Sequence, residues 1–328
     1  MPAHGRHEGG DMTHTKALRV SFAAVFTCGL LVALITLPFA ALPIAYIGLT
    51  LGLTAAAITA ALASVLLTAL AGPGSAMSFI ISFGVPVLWL IRLALLSRRQ
   101  SLDGDYEFYP ATQIIIQAVI ISGTLAAFIF LANAGTPQGL PGVFAQSLQQ
   151  APQISDLIRT VYGTDTDILG VANIILITGF ASWPLILLGT LQCAQALAQY
   201  SGDNLRPAET HDRLTMPVWF DFALGLAFFG AWVTSGWAAT LLAVFAAIFL
   251  GAYFLLGLAV IHAISRHWNG RVWFLAGLYF LIFVMAWVIV PISLLGLLES
   301  RLNLRRLPTT QPTNPVVPPK SDDDEENR

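Results

Sequence analysis

Few side chains in this chain have a type and placement suited to chemistry, and most of those are amides. Gln113 and Gln117 sit near the start of one apolar run. Asn173 lies at one end of a second run and Gln192, Gln195 and Gln199 at the other. An amide inside lipid needs a partner, supplied either by another helix at about 1 kcal/mol per hydrogen bond or by a small molecule in a cavity. Gln113, Gln117, Asn173, Gln192 and Gln195 are therefore the candidate ligand-binding residues, with helix-to-helix bonding as the competing role.

The ionisable residues are sparser. Arg92 is the only charge deep in the first apolar block and lies five residues before Ser97, so its stem can snorkel to the interface and anchor the helix there. Asp221 stands one turn inside its run, where an acid favours a helix start. His262 near a run end reads as a hydrogen-bonded interface residue, with a proton relay as second choice. His4, His7 and His14 stand near Glu8 and Asp11, but no apolar periodicity would hold them as metal ligands. Cys28 and Cys193 have no CxxC partner and read as small buried side chains. No HExxH, GxSxG, phosphate-binding loop or Ser/His/Asp set falls within the apolar runs. The chain reads as non-enzymatic, with no cofactor and no metal.

The elements that must position these residues follow from composition. The 328 residues are 56% hydrophobic and only 10% charged, with mean hydropathy +0.74. A soluble globule carries about one quarter charged residues, so the chain reads as an all-α, polytopic transmembrane bundle with the lipid bilayer as its partner. The formal net charge is -2, and SDDDEE supplies five of the eighteen acids. No basic field large enough for nucleic acid remains.

In chain order, residues 1–16 read as a disordered leader. Lys16 and Arg19 precede a first span over 20–37, which places the N-terminus in the cytoplasm. No charged side chain occurs from Val20 to Ile91. Pro38 and Pro43 predict a short helix over 41–52 and another over 54–71, with one tilted helix from 43 to 71 as the competing reading. That choice decides between eight spans and nine. Further spans are expected over 76–97, 111–133, 168–199 (kinked at Pro184), 218–234, 237–264 and 272–298. The bundle as a whole covers 17–306, divided into a six-segment module over 17–200 and C-terminal spans over 201–306. A Pro-rich, then acidic tail over 307–328 has almost nothing to bury.

The loops around Arg98/Arg99, Arg206/Arg213 and Arg266/Arg271 fall on one side under an alternating count, the cytoplasmic one. Arg301, Arg305 and Arg306 break the count, since one crossing after Arg271 would put them outside. Either the segment around Pro291 does not cross simply or the charge rule misleads there. The connection 134–167 has one basic residue, Arg159, against Asp156, Asp165 and Asp167, as on the non-cytoplasmic side. Within it Ile154, Leu157, Ile158, Val161 and Tyr162 share one helical face, an amphipathic helix that lies on the membrane surface or caps the bundle.

Gly48, Gly52, Ala56, Ala60, Ser64 and Thr68 recur every fourth residue, a ridge of small side chains that lets a neighbouring helix approach closely. Gly48, Gly52, Ala56 and Ala60 are its packing residues, and the ridge could also dock a partner subunit.

The order LPIAYIGLTLG, an Ala-rich helix, LAGP, FGVPVLWLIRLALLSRR, a short loop ending EFYP and a closing LGLLESRLNLRR resembles the YybS-like family of bacterial integral membrane proteins. Glu299, Ser300 and Asn303 stand where that family often carries an acid and an aromatic. More remotely, the first six segments are similar to the substrate-binding subunits of energy-coupling-factor vitamin transporters and to the rod-shape protein MreD. The resemblance implies a bacterial inner-membrane protein with either of two roles. One is a small-molecule-binding, transport-related subunit with a cavity among the second, fifth and sixth segments; the other is a non-enzymatic scaffold for envelope or division proteins.

Overall fold

Two glycines set the entry to the fold. Helices α1 (Leu42–Leu51), α2 (Leu53–Ala71) and α3 (Pro73–Leu95) are separated only by Gly52 and Gly72. Their φ angles of 92° and 85° lie where a Cβ is strained. Each glycine N–H still bonds the carbonyl four residues back at 3.1 Å, and each glycine carbonyl accepts from the residue four ahead. The chain thus turns sharply while the N–H and carbonyl of each glycine stay bonded. The break at Gly52 selects the two-helix reading over the single tilted helix.

The computed structural model describes residues 40–99, 106–163, 166–202, 204–207 and 214–302. The leader, the first apolar run, Cys28, Arg213, Arg305, Arg306 and the tail lie outside the described residues.

Within α3 the turn over Ile80–Gly84 widens to a π-helix just ahead of Pro86. Proline has no N–H to give the Ser82 carbonyl, and the indole Nε1 of Trp183 donates to that carbonyl at 3.0 Å. A short antiparallel ribbon follows, β1 (Ser97–Arg99) with β2 (Tyr106–Phe108), Ser97 opposite Phe108. Next come α4 (Ala111–Ala132), α5 (Gly139–Gln150), α6 (Pro152–Tyr162) and α7 (Ile168–Ser201). Asp167 caps α7, its carboxylate accepting from the N–H groups of Leu169 and Gly170.

Helix α8 (Val218–Val233) and helix α9 (Gly236–Ile264) complete the centre. Against α9, Asn173 meets Thr240 and Leu185 meets Gly251, so α7 runs parallel to it. Phe220 of α8 packs edge-on against Phe249 and Tyr253, at centroid distances of 4.7 and 5.7 Å. The main core holds Leu49, Leu90, Ile91, Phe130, Leu187, Val244, Ile248 and Tyr253.

The chain is a helical membrane bundle. Five of the described helices are long and apolar enough to cross a bilayer: α2, α3, α4, α7 and α9. A sixth candidate is the pair α10 (Arg271–Val284) and α11 (Ile289–Leu302), bent by 120° at the break between them. This pair does not cross as one straight rod. It returns along α9 in antiparallel sense, Ile292 over Gly257 and Gly296 over Tyr253, and brings Arg301 onto Asp221 in the first turn of α8. The simple crossing that left the arginine count unresolved is therefore replaced by a bend.

Candidate functional site

The amides fall at two levels of the bundle, the glutamines near the start of α4 and the end of α7, and Asn173 near the start of α7. Gln113 is exposed and Gln117 half-buried on the first two turns of α4. Gln195 is half-buried and its Nε2 donates to the Arg206 carbonyl at 2.7 Å, while Gln192 is exposed three residues earlier. Asn173 accepts from the Thr240 hydroxyl at 2.9 Å, joining α7 to α9. On one helix Asn173 and Gln195 are 22 residues apart, about 33 Å at helical rise. The structure therefore does not bring the five amides into one cavity.

The small residues do meet. A Cβ on Gly48 would stand 2.8 Å from two Ile91 carbons and 3.1 Å from the Ala56 Cβ. Residues eight apart on a straight helix would be separated by about 12 Å, so Gly48 and Ala56 touch only because the chain folds at Gly52. Ala56 and Ala60 are buried, Ser64 is half-buried and Thr68 exposed. Gly48 faces Ala56 across the corner at Gly52, so the six positions do not form one stripe. Arg92 is exposed, its guanidinium 5.3 Å from the Trp89 ring centroid, a cation–π pair beside the ribbon end of α3.

Two polar clusters were not anticipated from local sequence. Arg206 is buried. Its guanidinium donates to the carbonyls of Ala94 at 2.8 Å and Tyr109 at 2.9 Å and lies over the Phe108 ring, while its own carbonyl receives Gln195 and Asn204. One arginine thus ties the end of α3, the ribbon, α7 and the following loop. In the second cluster the Tyr253 hydroxyl donates to Asp221, Arg301 pairs with the same carboxylate, and Glu299 is buried on the face of α11 that holds Gly296. His262 donates from Nδ1 to the Leu258 carbonyl at 2.9 Å, and its Nε2 lies 3.3 Å from the Tyr279 hydroxyl.

Among the described residues, a space able to admit a molecule lies between α4, α8 and α9. A groove of about 340 Å³ is lined by Val119, Ile120 and Ala127 of α4, Phe245, Ile248 and Phe249 of α9, and Trp219 of α8. Gly123 lets the Phe245 ring pack close against α4: a Cβ there would lie 3.1 Å from the ring. The Thr124 hydroxyl and the Trp219 indole are the polar groups of the lining side chains. Such a surface suits a flat or chain-like apolar group with at most one polar end. The sequence signal is a pair of small residues at spacing four on α4, Gly123 and Ala127, and a pair of aromatics at the same spacing on α9, Phe245 and Phe249, with Gly123 against Phe245. None of the five candidate amides lines it.

No known protein family, no curated protein and no solved structure matches the chain.

Proposed function

We propose that the chain is a small-molecule-binding, transport-related subunit of a bacterial inner membrane, of the YybS-like kind that its motifs resemble, with eight or nine segments counted over the whole sequence and a cytoplasmic N-terminus. The observation that carries this reading is the groove between α4, α8 and α9. Its volume of about 340 Å³ falls at the lower end of small-molecule sites. Its walls are apolar and aromatic, and it is open on one side, so an apolar ligand enters from the surrounding hydrocarbon. The ligand site proposed on this observation is the aromatic groove, beside the amide set expected from the sequence. The non-enzymatic scaffold remains the second reading. It is favoured by α2, where Ile58, Leu62, Leu66 and Leu70 form an exposed outer stripe that a partner subunit would cover.

Photo-crosslinking tests the first reading. A diazirine-bearing fatty acid added to the reconstituted protein is expected to mark peptides containing Val119–Ala127 and Phe245–Phe249, and Ala127→Trp is expected to abolish the mark by filling the space. Labelling spread evenly over the lipid-facing helices, unchanged by Ala127→Trp, would overturn the groove as a site.

A further inference from the structure

The helix α6 carries an apolar stripe that the bundle does not use. At about 100° per residue, three sectors run around it. Ser155 and Ile158 are buried, and Ile158 packs with Ala145, Leu148 and Ala172 of α5 and α7. Beside that sector lie Ile154, Leu157 and Val161, which remain 47%, 62% and 64% exposed. Asp156, Arg159 and Thr160 take the remaining side.

We propose that α6 is an interfacial helix whose Ile154, Leu157 and Val161 edge sinks into the membrane surface at the end of the bundle where α7 and α9 begin. Position carries the assignment. Ile158 touches the first turns of α7, where Asp167 caps the helix and the apolar span starts. The neighbouring Asn173–Thr240 bond marks the same level on α9. A helix held there with one edge on protein has its next edge against the rim of the lipid layer and its third in water. The occupant is the acyl and glycerol region of the bilayer. The helix carries one acid and one base, Asp156 and Arg159, so its insertion is apolar in origin and independent of anionic lipid.

The test uses the full chain with Cys28 and Cys193 changed to Ser and an environment-sensitive dye attached at Leu157→Cys, Val161→Cys or Asp156→Cys, reconstituted in phosphatidylcholine vesicles with and without phosphatidylglycerol. The proposal expects nitroxide-bearing lipid to quench the dye at 157 and 161 several-fold more than at 156, iodide to show the reverse order, and neither to change with lipid charge. Should Leu157→Cys fail to fold, Val161→Cys reads the same edge. Iodide quenching at 157 and 161 equal to that at 156 would overturn the proposal. Protection from both quenchers would overturn it too, since the stripe would then be covered by protein, either the rest of the chain or a second copy.

Discussion

Replacing Gly257 by Ala should undock α11 from α9. A Cβ at Gly257 would stand 1.9 Å from the Ile292 carbonyl oxygen and 2.9 Å from its carbon. Both are backbone atoms of a helix, so no side-chain rotation relieves the clash. Ordinary contact begins at 3.4 Å, and α11 must retreat by about 1.5 Å to reach it. A gap of about 0.5–1 Å already forfeits a quarter to a half of each dispersion contact, and overpacking of a tight core costs about 1–3 kcal/mol. The upper part of that range applies where backbone meets backbone, and it raises the population of undocked α11 roughly 30- to 150-fold. Ser293 reports the event, because it is fully buried on α11 next to Ile292, which meets Gly257. In a background with Cys28 and Cys193 removed, the maleimide labelling rate of Ser293→Cys is expected to rise by that factor in Gly257→Ala. Gly225→Ala is the control: nothing lies within 4 Å of its Cβ, and it gains up to about 1 kcal/mol of helix propensity. If the two alanine variants label at the same rate, the close approach of α11 is not real and the bent α10–α11 arrangement falls with it.

Three other contacts between polar groups can be tested by substitution. Arg206→Lys keeps the charge but cannot reach the Ala94 and Tyr109 carbonyls together, so the thermal midpoint should fall by an amount corresponding to about 1.5–3 kcal/mol for a lost charged hydrogen bond; an unchanged midpoint would contradict the clamp. Trp183→Phe should cost about 1 kcal/mol by stripping the Ser82 carbonyl of its donor. In a Pro86→Ala background a backbone N–H can take that role, so the same change should cost almost nothing, and strict additivity in the double-mutant cycle would refute the link. Thr240→Val should lower stability by about 0.6 kcal/mol, the usual worth of an interhelical hydrogen bond in lipid, with no further loss when Asn173 is also replaced by Leu.

What could be read along the sequence was whatever local periodicity and backbone chemistry decide. The spans read as 111–133, 168–199 and 237–264 appear as Ala111–Ala132, Ile168–Ser201 and Gly236–Ile264, since runs of apolar residues end where Pro, Gly and polar groups stop them. The break at Gly52 was legible for the same reason. Contacts between distant segments were not. Arg206 looked like one of several loop charges, and only folding shows it between Ala94 and Tyr109, about a hundred positions away in the chain. Nor does a local pattern reveal that Gly257 and Gly296 face each other's backbones, so the return of α11 toward α8 stayed hidden behind an arginine count that did not close. The amides stand out as polar atoms in apolar runs, yet Asn173 and Gln195 bond within the protein. The groove is built from Gly, Ala and Phe, residues that carry no chemical flag of their own.

Native mass spectrometry of the gently extracted protein tests the central claim most directly. The account predicts a small molecule that stays with the wild-type chain when detergent is stripped in the gas phase, and its loss from Ala127→Trp at equal folding. A wild-type chain that arrives bare, or an adduct held equally by both proteins, would contradict a binding role for the groove between α4, α8 and α9.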